Sequence, residues 1–317
     1  MRDEAEHKDG SEAVDLGARR CRDTADVSLE FREATEQDAQ RVAELFNTFE
    51  RAVAAEPEIV SAEDLLLWWR RESEGRLVLD GAALVGFAFL QRRGERYDGD
   101  GWVHPEAFGR GVGTAIVDWL ETRSRELGSP EARIGILHED EPAACLLRRR
   151  GFEPIRSFFR MVIDLDGEPD PPAWPEGFDV ATLAPGEERV LYEVLEEAFQ
   201  DHWGHQYRPF EEWMNARVLE HELCFLVRSG SAVAAGAECK RELFGMGWVD
   251  VLGTRREYRR KGLGDALLRH AFGELYRRGA RRVGLGVDAE NPTGATRLYE
   301  RVGMRVASQS DVYAKTL

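Results

Sequence analysis

The sequence predicts an α+β fold, a mixed and mostly antiparallel sheet flanked by helices, present as two tandem copies. A short apolar run, a glycine loop and an amphipathic helix occur twice, around Gly109-Arg110-Gly111-Val112-Gly113 and around Gly262-Leu263-Gly264. Landmarks of the two copies share nearly one offset: 147 residues from Phe31 to Phe178, 151 from Gly113 to Gly264, and 152 from Gly151 to Gly303. Between the copies, residues 166–177 read DGEPDPPAWPEG, a proline-rich stretch suited to a linker. Agreement in element type as well as in position marks a duplication.

Residues 1–27 are polar without a period, and a mobile tail is expected there. The first copy is expected over 28–165. It opens on the alternating strand 28–34, and Thr35 and Asp38 resemble a capping box before a helix with Val42, Leu45 and Phe46 on one face. A second helix starts at Ser61, and strands 77–79 and 84–90 join through Asp80-Gly81, a hairpin signal. A short strand at 102–104 leads into the first glycine loop and its helix. Strand 133–137, helix 142–150 and a strand pair ending near Leu165 complete the copy. The second copy, 178–317, repeats the series: strand 178–183, helices 187–199 and 210–220, a hairpin about Gly230, the glycine loop, strand 282–287, helix 292–301, and two closing strands at 305–307 and 312–315.

Composition narrows the function classes. The 317 residues are 43% hydrophobic, enough for sizeable cores, and carry a net charge of −16. That acidity argues against nucleic acid or an anionic membrane as partner. No apolar run approaches the ~20 residues that cross a bilayer, and the charged N-terminus lacks the apolar stretch of a secretory signal. A cytoplasmic monomer or homodimer is expected. Cys21, Cys145, Cys224 and Cys239 form no C-x-x-C pair, so no metal site is expected and the thiols fill core space.

Against this acidic background, residues 255–282 hold ten Lys/Arg and three Asp/Glu. Glycines let backbone approach a ligand, and a helix start offers free N–H groups and a positive dipole end. A basic glycine loop opening a helix therefore suits a phosphorylated cofactor. The loop Arg259-Arg260-Lys261-Gly262-Leu263-Gly264 and the later series Asn291, Ala295, Tyr299, Gly303 and Met304 resemble the GNAT superfamily of acyl-CoA-dependent N-acyltransferases. The order of loop, strand and helix carries this resemblance, and two such domains in this length are similar to its tandem branch, which includes mycothiol synthase.

The resemblance implies acetyl-CoA as cofactor. Its phosphates would lie on the loop amides of roughly Arg260, Lys261, Gly262, Leu263 and Gly264, within reach of the side chains of Arg255, Arg256, Arg259 and Lys261. Its amide-bearing arm would lie along Val251, Leu252 and Gly253, with Asn291 contacting that arm or capping the last helix. It also places Tyr299 as the acid that protonates the departing thiolate; the bland alternative is a core tyrosine. Mycothiol synthase has a glutamate on the fourth strand where this chain has Trp248. Asp250, two residues on and on the same face, is the first candidate base, and Glu238 on the preceding strand is the second. The acceptor, a small-molecule primary amine, is expected against His202, Trp203, His205 and Trp248. The first copy keeps Gly109, Arg110, Gly111, Val112 and Gly113 as a second candidate cofactor loop but places Leu147 where the acid belongs, so it is expected to be catalytically inactive, either holding CoA as a structural ligand or covering the second domain. The expected activity is acetyl transfer in a ternary complex. The rivals are an acyl-CoA-binding scaffold without turnover and an acetyltransferase acting on protein amines.

Overall fold

The computed structural model describes residues 28–69, 73–291 and 293–317. The tail expected at 1–27 lies outside them. The first half runs β1 (Leu29–Glu33), α1 (Ala39–Val53), α2 (Ala62–Trp69), β2 (Ser73–Asp80), β3 (Ala83–Arg93), β4 (Arg96–Val103), α3 (Val112–Glu126), β5 (Glu131–Leu137), α4 (Glu141–Arg149) and β6 (Glu153–Asp164). The second repeats it as β7 (Asp179–Thr182), α5 (Glu188–Phe199), α6 (Phe210–Asn215), β8 (Cys224–Ser229), β9 (Ala232–Leu243), β10 (Met246–Thr254), α7 (Leu263–Arg277), β11 (Arg282–Asp288), α8 (Ala295–Arg301) and β12 (Arg305–Thr316). Local signals set the helix starts as the sequence suggested. The Thr35 N–H donates to Asp38 Oδ2 at 2.9 Å, and Ser61 and Asp64 cap each other reciprocally ahead of α2.

The strands form one twelve-stranded sheet in the order β1-β2-β3-β4-β5-β12-β6-β11-β10-β9-β8-β7. Among the described residues only β4–β5 and β10–β11 pair in parallel. The order reads the same from both ends, because each half gives its last strand to the other. β6 precedes the linker yet pairs with β11, and β12 closes the chain yet pairs with β5. β6 and β12 then pair with each other at the centre. The exchange carries side chains with it. Met161 of β6 is buried among Leu267, Val283 and Leu285 of the second half, and Tyr313 of β12 is buried among Ile116, Leu120 and Leu147 of the first.

Three expectations need correction. β6 and β12 are unbroken twelve-residue strands rather than pairs of short ones. Their polar middles hid this, and those residues pair across the exchange: Ser157 Oγ donates to Asp311 Oδ1 at 2.7 Å and Arg160 Nε to Ser308 Oγ at 3.1 Å. The helix expected over 210–220 ends at Asn215, since beyond it Arg217 turns inward and the Val218 carbonyl accepts from Lys240. β4 is a full eight-residue strand despite its glycines, because Gly99 and Gly101 admit Leu120 and Ile116 of α3 against the backbone.

An ion-pair network also ties the halves together. Glu56, between α1 and α2, binds Arg282 of β11 and Arg305 of β12, and these guanidiniums hold its carboxyl down to about 2 from its usual 4.5. A carboxylate held low stabilises the fold above its unfolded pKa and loses that contribution as pH falls toward the folded value. The side chain is a third exposed, so screening leaves about 1 kcal/mol. Glu56→Gln is expected to cost that amount at pH 7 and to flatten the loss of stability between pH 4.5 and 2, read from urea midpoints against pH.

Candidate active site

The second glycine loop is shaped by residues in left-handed conformations. Gly262 has φ +86° and caps α7, with no side chain occupying the cap. The first-turn amides therefore face outward with the positive end of the helix dipole. Arg260 has φ +62°, a region that non-glycine residues enter at a cost, and Gly109 fills the same position in the first half at φ +73°. A methyl group on Gly264 would sit 3.1 Å from Leu298, so this glycine lets α7 close on α8.

Three of the loop arginines have partners within the chain. Arg256 Nη2 donates to both Asp201 oxygens at 2.6 and 2.7 Å; Arg259 donates to the Ala198 carbonyl at 2.9 Å and meets Asp201 at 3.4 Å; Arg255 faces Glu197 at 3.4 Å. These three fasten the loop to the end of α5. Arg260 has no acidic partner among the described residues, and Lys261 lies 4.9 Å from the Tyr258 ring.

β10 carries a bulge at the residue the sequence singled out. Val249 pairs with Cys239 and Val251 with Glu238, which leaves Asp250 as the extra residue. The alternation shifts there: Val249 and Leu252 pack toward the α7 core, and Val251 packs toward the α5 core. The ladder to β11 contains only Gly247–Val283 and Trp248–Gly284, so the two strands part beyond the bulge. Gly253 is required on the other side, where a methyl group would lie 2.7 Å from Ala198.

Asp250 and Glu238 belong to one network. Arg217 Nη1 lies 2.6 Å from Glu238 and 3.4 Å from Asp250, with its guanidinium 4.6 Å from the Trp213 ring. Glu238 is 0% exposed and has Lys240 at 2.8 Å on its other oxygen, whereas the Asp250 side chain is 26% exposed. Nothing in the sequence marked Arg217, which falls inside a helix pattern. Trp248 is 7% exposed, edge-on to Phe244 at 5.0 Å, among Val162 and Met246.

The connection between α5 and α6 crosses toward the other half. Trp203 has Arg133 and Arg156 against its ring at 4.8 and 5.3 Å, with Phe158 beside it. The His202 ring lies tilted against Phe199 at 4.2 Å; burial pushes its pKa down, as does Arg259, while Asp288 opposes. His205 Nε2 meets Glu196 at 2.9 Å. Tyr299 of α8 is 8% exposed, and burial pushes its phenol up to about 12. Asn291 does not cap α8, whose cap is Gly294 at φ +75°. Its Oδ1 accepts from the Thr293 N–H at 2.8 Å and so fixes the turn before the helix. The helix start expected at Pro292 lies outside the described residues.

A family profile described as "Acetyltransferase (GNAT) family" matches residues 189–304, and one described as "Acetyltransferase (GNAT) domain" matches residues 69–154. The chain is 32% identical to a mycothiol acetyltransferase of Thermobispora bispora over 72% of this chain and 78% of that protein. It is 28% identical to one of Catenulispora acidiphila over 89% of this chain and 96% of that protein. A GCN5-related N-acetyltransferase from Sphaerobacter thermophilus superposes with a TM-score of 0.77 at 33% identity, covering 91% of this chain and 95% of that one. The chain belongs to the GNAT family.

This GNAT protein is an N-acetyltransferase that uses acetyl-CoA, and the second-half loop fits that cofactor's phosphates: outward amides at a helix start, a glycine cap and two basic side chains without acidic partners among the described residues. The first half keeps the shape of the loop but carries different side chains around it. Gly109 and Gly111 are left-handed at φ +73° and +83°, Gly111 caps α3, and Val112 is buried beneath. Arg110 is held by Asp80 at 2.5 Å, and a methyl group on Gly113 would have 3.7 Å to its nearest neighbour. Leu147 is buried core at the position Tyr299 holds in the second half, Asp140 accepts from the Ala143 N–H as the cap of α4, and β4 pairs with β3 without a bulge.

No helix of the described residues is long and apolar enough to cross a membrane.

Proposed function

We propose that the second half transfers an acetyl group from acetyl-CoA to the primary amine of a small molecule, by direct attack in a ternary complex. The observation that carries this is Tyr299, a buried phenol still protonated far above neutral pH, on the helix packed against the glycine loop. Acetyl-CoA supplies the activated thioester. The outward amides from Arg260 to Gly264, with the Arg260 and Lys261 side chains, would hold its phosphates. The β10 backbone at Val251, Leu252 and Gly253, freed from β11 by the bulge, would hold its amide-bearing arm. Asp250 takes the proton the amine gives up, and Tyr299 Oη gives one to the departing sulfur. Glu238, enclosed between Arg217 and Lys240, holds Arg217 in place beside Asp250. His202, Trp203 and His205 line the acceptor side, with Trp203 fixed by residues of the first half.

A small acceptor is favoured by an opening this crowded with side chains from both halves. The relatives named mycothiol acetyltransferase make a deacetylated mycothiol precursor the first amine to assay, beside an amino sugar and a lysine peptide. Gly262→Glu puts a β-carbon at φ +86° and a negative charge where phosphate would bind. Calorimetry is expected to show loss of the second-half acetyl-CoA site, with affinity falling on the order of 100-fold or more, a cost near that of an unpaired charge. Unchanged binding would refute the cofactor placement.

A further inference from the structure

Along β11 the sheet face that carries Asp250 and Asp288 is not uniformly covered. At Gly284 it is closed, since a methyl group there would lie 2.6 Å from the Trp248 ring. At Asp288 it is closed again by Arg156 of β6, which forks onto that carboxylate at 2.9 and 2.6 Å beneath Trp203. Between them Gly286 is exposed although β11 is an interior strand, and a methyl group on it would meet nothing within 4 Å. Arg160 stands opposite Gly286 on β6, and Asp250 lies across the gap where β10 parts from β11. The result is a crevice one residue wide, with an indole at one end and an ion pair at the other.

The first half provides a built-in comparison. Its residue at the same 151-residue offset is Gly135, and a methyl group there would lie 2.6 Å from Asp100 Oδ1. The crevice of the first half is stoppered by a carboxylate; that of the second half is open.

We propose that Gly286 is the floor of the acceptor site and a determinant of specificity, admitting a primary amine on a polar body that lies between Trp248 and the Arg156–Asp288 pair. This rests on the acetyl-transfer reading above. β6 supplies one wall, so the site is completed by a strand from the other sequence half. The glycine has no left-handed φ to protect, and side chains are tolerated there conformationally.

The test follows transfer to glucosamine, an amino-acid amide and hexylamine, with acetyl-CoA affinity measured by calorimetry on the same samples. For the polar amine turned over fastest by the wild type, Gly286→Leu is expected to raise KM on the order of 100-fold and Gly286→Ala by a few-fold, with acetyl-CoA affinity unchanged. An unaltered KM in Gly286→Leu, or a wild-type preference for hexylamine, would overturn the proposal. Should Gly286→Leu fold poorly, Gly286→Ala carries the same comparison. If the wild type acetylates no amine while binding acetyl-CoA, the functional reading fails by itself. The crevice is then judged by Gly286→Cys, expected to add one fast-reacting thiol toward aminoethyl methanethiosulfonate above the wild-type background; no added reactivity overturns it.

Discussion

Tyr299→Phe is expected to lower kcat by about 10²- to 10⁴-fold while leaving acetyl-CoA affinity unchanged. The substitution removes one oxygen from a buried ring and keeps the packing against the α7 core, so the fold should be unaffected. Burial alone pushes this phenol up to about 12, because an ionised tyrosine would be poorly solvated there. The proton is therefore in place throughout the neutral range, and no alkaline fall in rate should come from Tyr299 below that pH. The measurement is kcat against pH for both proteins, with calorimetric titration of acetyl-CoA as control. A variant that keeps wild-type kcat would move the acid role elsewhere.

Residues 178–317 expressed alone are expected not to fold to a stable monomer. The fragment lacks β6 and leaves the β11 edge unpaired. It also lacks Met161 and Leu165, both buried in the second-half core. Losing a single large core side chain costs about 2–5 kcal/mol, against a total stability of roughly 5–15 kcal/mol for a domain. Circular dichroism and gel filtration of the fragment, alone and mixed with residues 28–177, test this. Recovery of a sharp thermal transition only in the mixture is the expected result. A cooperative monomer from the fragment alone would show that β6 is dispensable.

What the sequence made legible was local. Gly111 and Gly262 each cap a helix in a left-handed conformation, and no other residue type suits that place as well, so the two loops stood out. Tyr299 and Asp250 stood out through the family resemblance, which placed the first in its helix motif and the second two residues from the position of its fourth-strand glutamate. Partners distant in sequence left no such trace. Arg217 reads as one more polar residue of a helix and becomes meaningful only once β9 and β10 place Glu238 and Asp250 beside it. Arg156 and Ser157 break the apolar alternation of β6 and suggest a strand end, yet their partners Asp288 and Asp311 lie more than a hundred residues away. Gly286 gave no signal, since an exposed floor is defined by the side chains around it.

The crossing of β6 and β12 at the centre of the sheet has a consequence for how the molecule can change. If two identical chains made this exchange, every substitution would appear twice, and a carboxylate that stoppers one crevice would stopper both. With both partners in a single polypeptide, the two copies can diverge without separating. One can accept Asp100 and Leu147 and become a rigid wall, while the other keeps its opening and its tyrosine.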